Sequence, residues 1–332
     1  MDPLSQAVLG ATAAQSGASR KEVRVAAVVG LLGGMAPDLD VLIRSSRDPL
    51  LFLEYHRHFT HALAFIPVGS LLVAAVCYVL FARRHLSFGR TWLYAALGFA
   101  THGLLDACTT YGTQLLWPFS DARIAWNVIS IIDPLFTVPI LLLVVFAAAR
   151  RWPRMAMIGL AWSIAYPLIG MVQRDRAIAA GYELAASRGH QPSTLEAKPS
   201  FANLLLWKTV YRHDDNFHVD TVRAGSGIRI YAGDSAPALD VDKHLPWLHP
   251  ESQQARDLAR FRWFSNGYVA PHPRDPRQVI DLRYSMLPNE IEPLWTIRFD
   301  PSARPEAHVE YLTARDAGPA TLARFRQMLR GD

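Results

Sequence analysis

Cysteine is nearly absent: the chain has two in 332 residues, Cys77 and Cys108. Both fall inside apolar stretches and no CxxC pair occurs, which excludes a disulfide framework and a thiolate zinc site. The bland reading of both thiols is small side chains in helix packing. Basic residues are missing before Arg20, so the apolar stretch Leu4 to Ala18 lacks the charged leader of a cleaved signal peptide and reads as a retained, short helix. No internal repeat, low-complexity tract or long run of like charge is visible. A solenoid, a disordered tail and the duplicated halves of a repeat-built transporter are therefore not indicated.

Apolar residues are abundant and unevenly placed, concentrated in the first half while the charges gather in the second. The clearest apolar spans are Ala62 to Phe81, Trp92 to Thr109, Val128 to Ala149 and Met155 to Val172. A helix rising about 1.5 Å per residue needs about 20 such residues to cross hydrocarbon about 30 Å thick. With Leu4 to Ala18 and the Gly-rich stretch Val23 to Ile43, the pattern predicts an α-helical transmembrane bundle of about five or six helices over residues 1–175. A helical linker over 176–199 and a smaller soluble α+β domain over 200–332 follow. In the latter, Trp207 to Arg212, Gly227 to Tyr231, Gln278 to Tyr284 and Leu294 to Phe299 read as strands and Gln253 to Phe261 as a helix.

Arginine and lysine cluster in three connections: Arg20, Lys21 and Arg24; Arg83, Arg84 and Arg90; Arg150, Arg151 and Arg154. Placed on the cytoplasmic side, these clusters put everything after Val172 on the outer face, against the weaker bias of Arg44, Arg47 and Arg57. The expectation is a multi-pass protein of a bacterial inner membrane with a periplasmic C-terminal domain. The same clusters account for much of the net charge of +5, so the basic balance does not argue for nucleic acid.

Ionisable groups at the ends of apolar spans are costly without partners. His102 and Asp106 are four apart on a predicted helix and so share one face. The segment HRHFTH supplies His56, His58 and His61, of which His56 and His61 read as ligands and His58 as the spare or an acid–base group. Thr60 reads as an N-cap for the following span. GGMAPDLDVL adds Asp38 and Asp40 behind a helix-ending proline. All these groups land on one membrane face in the proposed topology. Carboxylates beside imidazoles suit zinc, with manganese or iron as alternatives, and six donors exceed one tetrahedral ion. One or two divalent ions are expected, with one carboxylate bridging in the second case. Histidines of the C-terminal domain, such as His213 and His218, read as scattered surface residues.

The ordered motifs MDPLSQAVLGA, GGMAPDLDVL, HRHFTHAL, THGLLDACTTYGTQLLWPFSD and IIDPLFTVP resemble the bacterial YdjM/YbcI-like family of inner-membrane, metal-dependent hydrolases over residues 1 to about 175. NLLLWKTVYR and RFRWFSNGYV resemble its extended branch with a C-terminal domain. The resemblance implies Asp38, Asp40, His56, His61, His102, Asp106 and Asp133 as pattern positions. It also departs from the family at Gln6, where some members have histidine; Gln6 there reads as a partner of a ligand or as a packing amide. Asp133 reads either as an orienting partner of a histidine or as the cap of the helix that Pro134 begins. Trp117, Phe119 and Trp126 fit an interfacial belt, with Arg123 the natural anion contact at the mouth of the site.

The expected function is hydrolysis of an ester or phosphoester in a small-molecule or lipid-like substrate drawn from the membrane, with Asp40 or His58 handling the proton. The alternatives are a membrane protein that binds or transports a divalent ion without hydrolysis, and a scaffold stapled by a structural ion.

Overall fold

The computed structural model describes residues 1–314 and 318–332. It divides into two compact units, one formed by residues 1–42, 55–172 and 201–203, the other by 43–54, 173–200 and the rest of the described chain.

The first unit is helical: α1 (Pro3–Ser16), α2 (Val23–Met35), α4 (Ile66–Leu80), α5 (Phe88–Ala107), α6 (Pro134–Arg150) and the first half of α7 (Pro153–Ser187); the short α3 (Leu51–Tyr55) belongs to the second unit up to Glu54. Among the described residues three helical segments are long and apolar enough to cross a membrane: Val23–Leu42, Leu63–Leu80 and Pro153–Ser187. The expected count of five or six is not reached, for reasons of length and composition. Helix α1 has 14 residues, a rise of about 21 Å, and α6 begins only at Pro134, leaving 128–133 non-helical. Helix α5 has the length, 20 residues, but carries Arg90, His102 and Asp106. Apolar side chains stay outward on α4 (Leu72, Val76, Val79), α6 (Leu142, Val145) and α7 (Ile158, Ile164, Val172), the surface that a lipid solvent accepts.

Small residues let α1, α2 and α5 touch backbone to backbone. A Cβ on Gly30 would meet both Gly10 O and Ala14 Cβ at 2.4 Å, and one on Gly34 would meet Gln6 O at 2.5 Å. This is close packing by the absence of side chains, the interface chemistry that suits helices with no hydrophobic drive between them. Ala14, Ala26, Val29, Ala74, Cys77, Tyr94 and Ala95 fill the core around it. Arg24 closes the end of α6 by donating to Ala148 O and Ala149 O at 2.9 and 3.2 Å.

The second unit contains two antiparallel sheets. One runs β1 (Leu195–Pro199), β2 (Leu206–His213), β3 (Asn216–Ala224), β4 (Ile228–Tyr231), with β5 (Ser235–Pro237) also on β3; the other runs β6 (Val269–Pro271), β7 (Gln278–Asp281), β8 (Trp295–Arg298), β9 (Glu310–Thr313). Val210, Phe217 and Val219 of the first share a core with Ala270 and Ile280 of the second, alongside helices α8 (Val241–His244), α9 (Gln253–Phe264) and α10 (Pro319–Arg330). The expected helical linker 176–199 is helical only as far as Ser187. Its first part continues α7 unbroken, because nothing after Val172 stops the helix before Gly189, and 195–199 is a strand.

In β2 the Lys208 ammonium is buried, donating to Ser285 Oγ at 2.7 Å and Glu290 O at 2.9 Å. Burial pushes its pKa down to about 7. The unfolded chain then holds the extra proton between about pH 7 and the ordinary lysine range, so this group's cost to stability is full below pH 7 and is relieved as pH rises.

Two outcomes follow. Gly30→Leu should lower the stability of the helical unit by about 1–3 kcal/mol through overpacking, seen as earlier thermal loss of helix by circular dichroism. Lys208→Met should flatten the rise in melting temperature between pH 7 and pH 10; an unchanged slope would assign that rise to other groups.

Candidate metal centre

Pro37 has no N–H to offer Gly33 O, so the α-helical ladder stops and Ala36–Leu42 winds on as a tighter 3₁₀ segment carrying Asp38 and Asp40. A second 3₁₀ turn, Phe59–His61, brings His61 inward. Its backbone lies on α5 where Gly103 has no side chain: a Cβ there would meet His61 O at 2.3 Å. Helix α5 presents His102 and Asp106 one turn apart, both fully buried.

Four donor atoms from these three elements converge. His102 Nε2 is 2.9 Å from His61 Nε2 and 3.3 Å from Asp38 Oδ1. His61 Nε2 is 3.5 Å from Asp38 Oδ1 and 3.2 Å from Asp106 Oδ2, and His102 Nε2 is 3.7 Å from the latter. Tetrahedral ligands at about 2.0–2.2 Å from an ion stand about 3.3–3.6 Å apart; the imidazole–carboxylate separations, 3.2–3.7 Å, are of that size, and the two nitrogens stand closer. Asp38, Asp40 and His56 form a second group, again with donor atoms within 4.8 Å of one another, and Asp38 belongs to both.

Hydrogen bonding on the far side of each ring fixes which nitrogen is bare. His102 Nδ1 faces Gly34 O, and a carbonyl only accepts, so Nδ1 carries the hydrogen. His61 Nδ1 lies 3.2 Å from Asp40 Oδ2 and 3.0 Å from Thr60 Oγ1, which itself donates to Asp40 Oδ2 at 2.9 Å. In the neutral rings both Nε2 lone pairs therefore point at each other across 2.9 Å. A positive charge, proton or metal ion, has to sit between them.

All six sequence-identified donors are in these two groups. Asp40 is fully buried at its side chain and holds the imidazoles from behind: Oδ1 is 2.8 Å from His56 Nδ1, and Oδ2 also accepts from Arg57 N at 3.0 Å. Gln6 donates to Asp106 Oδ1 at 2.9 Å and His102 O at 3.3 Å, while its Oε1 is buried with no hydrogen-bond partner. His58 joins neither group; its ring packs by Trp117, Tyr55 and Phe59 at 5.4, 5.7 and 6.0 Å. Thr60 is not the N-cap of α4, which starts six residues later at Ile66; its hydroxyl is spent on Asp40. Asp133 N-caps α6 through Leu135 N and accepts from Tyr166 Oη at 2.9 Å. Arg123 donates to Tyr111 O at 2.8 Å and Gly112 O at 3.3 Å.

Two members of the centre were not expected from the sequence. Arg57, counted there only as a flanking charge, is 4% exposed and sits with Nε 2.9 Å from Asp106 Oδ2. The Met1 amino group donates to Asp106 Oδ1. Arg57 stands between two histidines in the motif, the one available hint, but its inward turn depends on a left-handed backbone (φ 66°) that side-chain pattern does not reveal.

The family model described as YdjM inner membrane protein matches residues 1–177. The chain belongs to this family. Over 104 residues this YdjM-family chain is 30% identical to the uncharacterized protein YfhP of Bacillus subtilis, covering 31% of each. Over 108 residues it is 36% identical to the inner membrane protein YbcI of Escherichia coli, covering 31% of this chain and 60% of the relative. Less than two thirds of either relative's length is thus spanned. No solved structure matches.

Substitution separates the donors from their supports. His102→Ala or Asp106→Ala should abolish stoichiometric metal in the purified full chain, measured by mass spectrometry, whereas Thr60→Ala should weaken retention by about 10–100-fold in chelator competition. Equal metal content in all three would remove the centre.

Proposed function

We propose that this YdjM-family chain is a membrane-embedded, metal-dependent hydrolase of an ester or phosphoester, acting on a lipid-like substrate at the outer face of the inner membrane. The observation that carries the reading is the pair of imidazole Nε2 atoms facing each other beside two carboxylates, four donor atoms from three elements converging on one point. Buried ionisable groups inside apolar helices are expensive, and ones that converge on a common point are the mark of a functional site.

Zinc suits the donors Asp38, His61, His102 and Asp106, and the shared Asp38 leaves a place for a second ion held with Asp40 and His56. Such an ion would supply Lewis-acid polarisation of the substrate and a lowered pKa for water. The chain's own residues do the rest. Asp38 keeps 23% of its side chain exposed while His61, His102 and Asp106 keep none, so substrate approaches from the Asp38 side. Asp40 Oδ2, facing His61 Nδ1 at 3.2 Å, holds His61 in the tautomer that leaves its Nε2 bare. His58, among Trp117 and Phe59, is the proton-handling group offered at the aromatic rim. Trp117, the exposed Phe119 and Trp126 make that rim one an amphiphile can enter. The charge clusters of the connecting loops favour a periplasmic second unit.

The test is turnover by the full-length chain in detergent micelles, loaded with zinc, on nitrophenyl phosphate, bis-nitrophenyl phosphate, nitrophenyl butyrate and an anilide. Hydrolysis that requires metal and disappears in His102→Ala, with helicity retained, is the expected result. Full metal occupancy with no substrate cleaved would replace the enzyme by a metal-holding membrane protein.

A further inference from the structure

Beside the metal centre, two guanidinium groups close on one ring. The Arg57 Cζ lies 4.7 Å from the Tyr111 ring centroid and the Arg123 Cζ 5.3 Å from it. That ring stands edge-on to His56, centroids 5.5 Å apart. Arg57 reaches the centre through Asp106, with Nε 2.9 Å from Oδ2, and is steadied by donating from Nη1 to Thr109 Oγ1 at 2.8 Å.

A buried cation next to donors that themselves await a cation opposes metal binding, so Arg57 costs the centre affinity even as it orients Asp106. Arg57 is also held in the left-handed region, where a non-glycine residue is uncommon and strained. Charge counting shows what the arrangement gains. Asp38, Asp40 and Asp106 contribute three negative charges, Arg57 and Arg123 two positive ones and the Met1 amino group one more when protonated, so a single divalent ion leaves the loaded centre with a surplus of one or two positive charges. A second ion raises the surplus by two. A neutral ester or amide leaves that surplus uncompensated; a phosphoryl group neutralises it and matches the planar donor fork of arginine.

The geometry points to a phosphoryl-binding subsite made by Arg57 and Arg123 on either part of the Tyr111 ring, so that the substrate is a phosphoester anion. This rests on the metal-centre reading above and narrows it, since carboxyl esters and amides are then excluded. Arg57, buried with Nε on Asp106 and Nη1 on Thr109, supplies fixed charge from the inner side, and Arg123, tied to the backbone at Tyr111 and Gly112, is the outer contact.

Binding is read without turnover. Zinc-loaded full-length chain in detergent is titrated with inorganic phosphate by calorimetry, beside Arg123→Ala and Arg57→Lys, with bound zinc measured in each. The expected result is a Kd of about 1 mM or tighter, weakened about tenfold in Arg123→Ala at unchanged zinc content. Because Arg57 is buried and its variant can misfold, the Arg123 variant decides. No binding up to about 10 mM phosphate, or equal binding in wild type and Arg123→Ala, overturns the subsite. Competition by glycerol 3-phosphate and by dihexanoyl phosphatidic acid separates sources: preference for the latter identifies a lipid headgroup, equal competition a soluble phosphoester, and both support the subsite. Carboxyl-ester hydrolysis without phosphate binding sinks the subsite and leaves the hydrolase. Phosphate binding without cleavage of any bond leaves the subsite and sinks the hydrolase.

Discussion

Two imidazole Nε2 atoms, on rings whose Nδ1 atoms face an oxygen on the far side, are held 2.9 Å apart in the interior of a helical unit. Their mutual repulsion is tolerable only with a positive charge between them, and much of the surrounding structure serves that geometry. Gly34 O and Asp40 fix the tautomers, Thr60 braces Asp40, and Gln6 and Arg57 hold Asp106 from either side. Any one of these polar groups would be a liability in an apolar interior. Joined, they satisfy one another and leave their unpaired electron density aimed at one place.

The packing has to bring three separate elements within a few ångströms without side chains in the way. Glycine does this twice over. Gly30 and Gly34 let α1 and α2 meet, which places Gln6 against Asp106; Gly103 lets the His61 turn rest on α5. Pro37 matters differently, by ending the α-helical ladder so that Asp38 and Asp40 continue on a tighter turn instead of rotating away. Lipid offers no polar partner to repair a misplaced group, so this interior depends on backbone proximity rather than on adaptable side chains.

Much of the centre was legible from spacing. His102 and Asp106 announce a shared helix face, and a proline-stopped Asp38/Asp40 pair beside a histidine-rich segment announces donors. Less legible was how they divide: Asp38 belongs to both groups, Asp40 stands behind the rings, and His58 turns to the aromatics, because a 3₁₀ segment carries the two carboxylates and His58 lies in the bend before the Phe59–His61 turn. Arg57 was missed since its burial follows from a positive φ. Among the fold elements, α9, β2, β7 and β8 could be read from periodicity. Strand β3, whose neighbours cover both faces, and the unbroken α7 could not, because burial on two sides erases alternation and a helix does not end where its solvent changes. His213 and His218, which read as scattered, meet at His190: it stacks on His213 at 4.2 Å and lies 4.5 Å from His218.

The amino-acid sequence by itself determined that an apolar helical half precedes a polar sheet-forming half, and which residue types could bind a cation, because hydropathy and helical period are properties of neighbours along the chain. Only the tertiary structure decided which nitrogens are bare, which carboxylate is shared and which arginine enters the interior. Those depend on contacts between residues up to a hundred positions apart, such as Gln6 with Asp106, and on backbone turns whose hand no local pattern specifies.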